Sequence, residues 1–139
     1  MNEQDRICRF LSGRSFAVVG ASSDRSKYGN RVLRAYLQQG RKVVAVNPKE
    51  SRVEGVRSYP DLASLPEPVD RVSIVTPPAV SEKVLQQAAE AKIRSVWLQP
   101  GAEGPGWRQQ AERLGLNAIG GGPCVLVALH YHDAGGESQ

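Results

Sequence analysis

The fold is decided by FAVVGASSDRSKYGN, Phe16 to Asn30. Ser15 to Gly20 is a compact β-rich run, the first strand, apolar without polar alternation as in a strand covered on both faces of a parallel sheet. Gly20 ends it. From Asn30 to Gln39, Val32, Leu33, Tyr36 and Leu37 share one face at helical spacing, and Gly40 follows as a C-terminal stop. Strand, glycine turn and helix in this order open the phosphate-binding unit of dinucleotide-binding folds. The likeness then breaks. Gly-x-Gly-x-x-Gly is absent, the next glycine is Gly29, and the intervening loop is rich in hydroxyls and basic groups. A plain strand-to-helix turn needs fewer residues.

Alternation of strand and helix continues along the chain. Glu3 to Ser12 is expected as a short leading helix, with Ile7, Phe10 and Leu11 on one face. Its apolar face packs either on its own domain or on a second copy. Lys42 to Val46 is a second strand, stopped by Asn47-Pro48. Glu54 to Pro60 reads as short and extended, and Asp61 to Leu65 as a single helical turn. Arg71 to Val75 and Ser95 to Leu98 are the third and fourth strands. Between them Val80, Val84, Leu85, Ala88 and Ala91 mark a helix. Pro105 opens another, carrying Trp107, Ala111 and Leu114, before a fifth strand at Leu116 to Ile119. Val125 to Tyr131 is one more apolar element, strand or helix. The pattern predicts a single α/β domain over residues 1–139, with a frayed tail at 133–139. The domain is Rossmann-like and doubly wound, with a mainly parallel sheet of about five strands. Trp97 and Trp107 are expected in core or interface.

Composition narrows the function. The 139 residues are 40% hydrophobic, enough for an ordinary core. The net charge is +4, but basic and acidic residues are interleaved, and the eight aromatics form no stacking motif. Nucleic acid is therefore not expected, and an anionic small ligand explains a local excess of charge. No apolar run reaches membrane-spanning length. The polar start, MNEQDRICRF, argues against a signal peptide and for the cytoplasm. Cys8 and Cys124 form no disulfide framework. No Ser/His/Asp set or HExxH is present. His130 and His132 would share a face if they lay on a strand, yet a metal would need a third ligand. No metal and no catalytic residue are expected. Cys124 reads most simply as a small buried apolar residue, with a thiol facing a ligand thiol as the alternative.

In a doubly wound sheet ligands sit where strand C-termini meet helix N-termini. Four segments converge there. The first supplies Gly20, Ala21, Ser22, Ser23, Lys27, Tyr28 and Gly29. Gly20 is expected to let backbone approach a ligand, so a side chain there would fill a phosphate site without unfolding the protein. Loop N–H groups and the helix dipole favour an anion. The second segment, Asn47, Pro48 and Lys49, stands where NAD-binding domains carry a carboxylate for the ribose hydroxyls. An amide and a cation suit a phosphorylated ribose instead, as in NADP or coenzyme A. Thr76 and Pro77 either line an adenine or simply end a strand. Gln99, Pro100 and Gly101 either touch a ligand through backbone groups or form a bare turn.

Taken together, VVGAS (18–22), KYGN (27–30), VNPK (46–49), VEGVRSYPDLASLPEPVD (53–70), VWLQPGA (96–102) and Cys124 carry a resemblance. The chain is similar to the small stand-alone CoA-binding proteins, and through them to the CoA-binding N-terminal domain of the succinyl-CoA synthetase alpha chain. The resemblance runs over nearly the whole chain in order. It implies coenzyme A, or an acyl-CoA, as ligand. Gly20 to Ser23 would hold the diphosphate, with Lys27, Tyr28 and Gly29 closing the far side. Asn47 to Lys49 would lie near the adenosine, Pro77 would flank the ligand, and Gln99 to Gly101 would run beside the pantetheine arm. It implies a binding protein rather than an enzyme, working alone, as a homo-oligomer, or beside a separate enzyme. The alternative is an NADP(H)-binding, redox-responsive module.

Overall fold

The computed structural model describes residues 1–131; His132 and the tail at 133–139 lie outside the described residues. β1 (Phe16–Val19) runs through the middle of the sheet, every residue buried. It pairs in parallel with β2 (Val43–Val46) on one side and β5 (Arg71–Ile74) on the other, so that Val18 stands between Ala45 and Ser73. Beyond β5 lie β6 (Ser95–Leu98) and β7 (Asn117–Ile119), both parallel. Beyond β2 lies β4 (Val56–Tyr59), also parallel, and β3 (Arg52–Val53) closes that edge antiparallel to it. Among the described residues the order is β3-β4-β2-β1-β5-β6-β7.

The α/β, mainly parallel architecture is therefore as expected, with seven strands rather than about five. The additional pair comes from residues 52–59. That hairpin turns through Glu54 and Gly55, both at positive φ (50° and 83°). A left-handed glutamate is uncommon, so the turn is not visible in residue types.

Side chains of β1 alternate between two cores. Ala17 and Val19 face a cluster with Val84, Leu85 and Ala88 of α3 (Pro78–Glu90) and Ala111 of α4 (Trp107–Arg113). Phe16 and Val18 face Val32, Leu33 and Tyr36 of α2 (Tyr28–Gln38), together with Trp97. Helices thus cover both faces, the arrangement that lets the central strands β1 and β2 be wholly apolar. Trp97 is a core residue as expected, whereas Trp107 is only half-buried.

The leading helix α1 (Glu3–Leu11) packs on its own sheet. Asn2 and Asp5 form a capping box at its start. Phe10 is buried, edge-on to Trp97 with ring centroids 5.3 Å apart. Arg71 donates to the carbonyls of Phe10 (3.0 Å) and Arg9 (3.2 Å), satisfying orphan acceptors at the helix end. The last apolar element is helical, α5 (Val125–Ala128). His130 follows it at φ 53°, so the strand that would have aligned it with His132 does not form there.

Candidate ligand site at the strand ends

Chain order reverses direction at β1, since β2 and β5 flank it on opposite sides. Open α/β sheets bind ligands at the carboxyl ends of such strands. Two glycines shape that place. Gly20 has φ 98°, and a Cβ there would stand 2.3 Å from the carbonyl oxygen of Val75. Gly29 lies in the first turn of α2, where a Cβ would stand 2.0 Å from the carbonyl oxygen of Gly20. The pair seats the start of α2 on the end of β1 and locks both against β5. The expectation that a side chain at Gly20 would enter only ligand space is therefore corrected, because it would enter the backbone of Val75.

The start of α2 is the anion-seeking feature of the site. Lys27 occupies the N-cap with extended backbone and gives no side-chain cap, and the first turn holds no acidic residue. Among the described residues no acceptor receives the backbone N–H of Tyr28 or Gly29. By contrast, α1 is fully boxed. Unsatisfied N–H groups at the positive end of an eleven-residue helix favour negative charge.

The rest of the loop is laced to its neighbours. The Ser22 hydroxyl accepts from the N–H of Asp24 (3.0 Å), and the Ser22 carbonyl accepts from the Asn30 amide (2.8 Å). Ser23 donates its N–H to Glu50 (3.0 Å) and its hydroxyl to the same carboxylate. Asn47 donates to the carbonyl of Ala21 (2.8 Å) and accepts from the N–H of Lys49 (2.8 Å). Arg25 grips Glu54 through two nitrogens at 2.8 and 3.1 Å, and Asn30 donates to Glu54 at 2.8 Å. Hydrogen bonds from Ser23 hold the Glu50 carboxyl below its ordinary range, and those from Arg25 and then Asn30 do so for Glu54. Ser26 does the same for Asp24. These three carboxylates are therefore ionised at neutral pH, with Arg25 paired to Glu54. Ser23 and Asn47 act as staples between the loops, and Lys27, Pro48 and Lys49 are exposed.

The remaining two segments behave differently from each other. Thr76 meets the buried hydroxyl of Ser81 at 2.8 Å and closes the start of α3, leaving Pro77 exposed at its N-cap. Gln99 is fully buried. Its Oε1 accepts from the N–H of Val125 (2.9 Å) and the hydroxyl of Tyr28 (3.3 Å), and its Nε2 has no partner among the described residues. Pro100 and Gly101 are exposed, and a Cβ at Gly101 would meet nothing within 4 Å. The hydroxyl of Tyr28 also meets the thiol of Cys124. Burial first, and the Cys124 contact second, push the Tyr28 phenol upward, so it stays protonated. Cys124 is half-buried among polar groups rather than lost in an apolar core. Sequence reasoning missed Glu50, Glu54 and Glu103. Glu103 ties the N–H of Gly101 (2.9 Å) to that of Gly121 (2.8 Å). No residue pattern near these glutamates distinguishes them from solvated surface charge.

Fold and site together define a doubly wound nucleotide-type binding domain with an anion-seeking helix end at its switch point. A family model for the CoA binding domain matches residues 14–130, and the chain belongs to that family. The chain is 31% identical over 134 residues to the alpha subunit of an ADP-forming acetate–CoA ligase II from Pyrococcus furiosus. That match covers 88% of this chain but only 29% of the subunit. A conserved hypothetical protein from Pyrococcus furiosus superposes with TM-score 0.78 at 38% identity, over 83% of this chain and 98% of that one. The dinucleotide-forming acetyl-coenzyme A synthetase 1 of Ca. Korarchaeum cryptofilum, in its apo form, gives TM-score 0.69 at 26% identity, covering 77% of this chain and 26% of that one. Among the described residues no helix is long and apolar enough to cross a membrane.

Proposed function

We propose that this chain binds coenzyme A, free or acylated, and has no catalytic centre of its own. One observation carries the reading: the uncapped start of α2, with the N–H groups of Tyr28 and Gly29 unmatched, at the switch point of a CoA-binding-family fold. These donors would take the diphosphate, beside Gly20, Ala21 and Ser22. Ser23 would support the loop through Glu50 rather than touch the ligand. Lys49 would face the ribose phosphate, with Asn47 and Pro48 holding its turn. Lys27 would screen the diphosphate from the carboxylates behind it. Pro77 would flank the ligand, with Thr76 steadying the helix behind it. Pantetheine would pass over Pro100 and Gly101, where the surface is open, toward the buried amide of Gln99. Bound coenzyme would supply a thiol for carrying an acyl group; the protein's part is capture and orientation.

On this reading residues 1–139 act as one cytoplasmic binding unit, alone, as a homo-oligomer, or beside an enzyme. Relatives that carry the domain within larger acyl-CoA ligases support the last of these. Isothermal titration calorimetry with coenzyme A, dephospho-CoA and NADPH tests the proposal. Coenzyme A should bind tightest, dephospho-CoA less tightly and NADPH weakly. Heat with NADPH and none with coenzyme A would replace this reading with the redox-responsive one.

A further inference from the structure

We infer that Cys124 is a thiol–disulfide exchange site for the thiol end of the coenzyme, one that takes up half of coenzyme A disulfide and holds it as a mixed disulfide. The inference rests on the coenzyme A reading above and adds a covalent, reversible state to it.

The cysteine is held in place from three sides. Trp97, buried in β6, donates its indole N–H to the carbonyl of Pro123 at 3.0 Å. Gln99 accepts from the N–H of Val125 at 2.9 Å. Tyr28 touches the sulfur through its hydroxyl. The thiol therefore stands at the N-cap of α5, tied to β6 through Trp97 and Gln99 and only half-buried.

An independent observation points to a ligand at this spot. Gln99 is fully buried, and its Nε2 has no acceptor among the described residues. A buried donor without a partner is unfavourable, and native proteins rarely leave one unmatched. The other end of the same amide is bonded to Tyr28, which touches Cys124, and to the N–H of the residue after Cys124, so the amide belongs to the hydrogen-bonded cluster that holds the cysteine. Pantetheine carries two amide carbonyls before its thiol, and either one matches this donor. Tyr28 sets the scale of the site: its backbone N–H belongs to the anion-seeking helix end, and its hydroxyl meets Cys124. A pantetheine arm is longer than a tyrosine side chain. A molecule with a diphosphate at one end and a thiol at the other can thus reach both places.

The chemistry balances without an added redox partner. The Cys124 thiol loses its proton, and the thiolate attacks one sulfur of coenzyme A disulfide. A protein–coenzyme disulfide forms, the original S–S bond breaks, and one coenzyme A thiolate leaves and takes up a proton. Cys124 is oxidised and the departing sulfur is reduced. A small thiol reverses the step.

The test uses the whole reduced protein treated with coenzyme A disulfide, and in parallel with oxidised glutathione, followed by intact mass and peptide mapping. One coenzyme adduct should form on Cys124, persist in Cys8→Ser, vanish in Cys124→Ser, and reverse with dithiothreitol. It should form at least about tenfold faster than the glutathione adduct, because binding raises the local concentration of the disulfide. Gln99→Glu keeps the Oε acceptor but removes the free donor, and should erase that preference. An adduct on Cys8, equal rates with both disulfides, or no adduct would overturn the inference. Calorimetry with reduced coenzyme A separates the two claims. Binding without an adduct ends only the inference, and no binding ends both.

Discussion

Gly20 and Gly29 look alike in sequence to Gly101, yet their surroundings separate them. A Cβ at Gly29 would run into the carbonyl of Gly20, and one at Gly20 into that of Val75. Neither obstacle is a flexible side chain that can move aside. Gly29→Ala should therefore lower stability by about 2–3 kcal/mol, as overpacking of backbone does, and should weaken coenzyme A binding with it. Gly101→Ala meets only the left-handed backbone penalty, about 1–2 kcal/mol, because the space around it is open. Urea denaturation of both variants checks the ranking. A Gly29→Ala protein as stable as the parent would mean that α2 is not seated on β1 in this way. Lys49 poses a different question, since its side chain is exposed. If it meets the ribose phosphate, Lys49→Ala should weaken coenzyme A by about 1 kcal/mol, roughly fivefold, and leave dephospho-CoA nearly unchanged. Equal losses for the two ligands, measured by calorimetry, would remove that role.

Between elements, the glutamates decide how firmly the first loop is held. Glu54 joins the β3–β4 turn to Arg25 in the loop and to Asn30 on α2. Its folded-state pKa is depressed below 4.5, first by Arg25 and then by Asn30. A depressed carboxylate contributes stability that is fully present above its unfolded pKa and lost as pH falls through the folded one. Stability should thus decline on the acid side of about pH 4.5, near the ordinary glutamate range. Glu54→Gln should start lower and flatten that decline. Urea midpoints taken from about pH 6 down to about pH 3 test this, and an unchanged acid limb would mean that the tie is too solvated to matter. At the other end of the chain, α1 depends on Phe10 against Trp97 and on Arg71 at its C-terminus. Phe10→Ala should cost about 3–5 kcal/mol, since the ring is buried within its own molecule. A stability loss well under 1 kcal/mol would mean that Phe10 does not dock α1 on its own sheet in this way.

For the whole molecule, the alternating apolar strands and one-faced helices made the doubly wound sheet legible, because covering both faces leaves no polar alternation to confuse the pattern. Of the β3–β4 hairpin, β4 was legible inside the extended run 54–60, whereas β3 and the turn were not, since that turn passes through a glutamate in a glycine-like conformation. Site segments were legible as four converging loops, but the division of labour among them was not. Ser23 and Asn47 staple neighbouring loops, and Gln99 and Cys124 share one hydrogen-bonded cluster with Tyr28. Such partners lie 26 to 96 residues apart, and residue type alone does not pair them. The net charge of +4 divides between solvated surface and a local use at the site, and that division can be measured. Close contacts to N–H groups are screened little, whereas an exposed lysine facing a phosphate is screened strongly as the Debye length shrinks from about 10 Å at 0.1 M salt to about 3 Å at 1 M. Coenzyme A affinity should fall by roughly three- to tenfold across that range. Dephospho-CoA should fall less, and Lys49→Ala should reduce the coenzyme A slope to that of dephospho-CoA. If all three slopes match, the lysine is ordinary surface and the helix end alone captures the anion. If coenzyme A shows no slope at all, short backbone contacts hold every phosphate, and the basic excess of the chain has no part in binding.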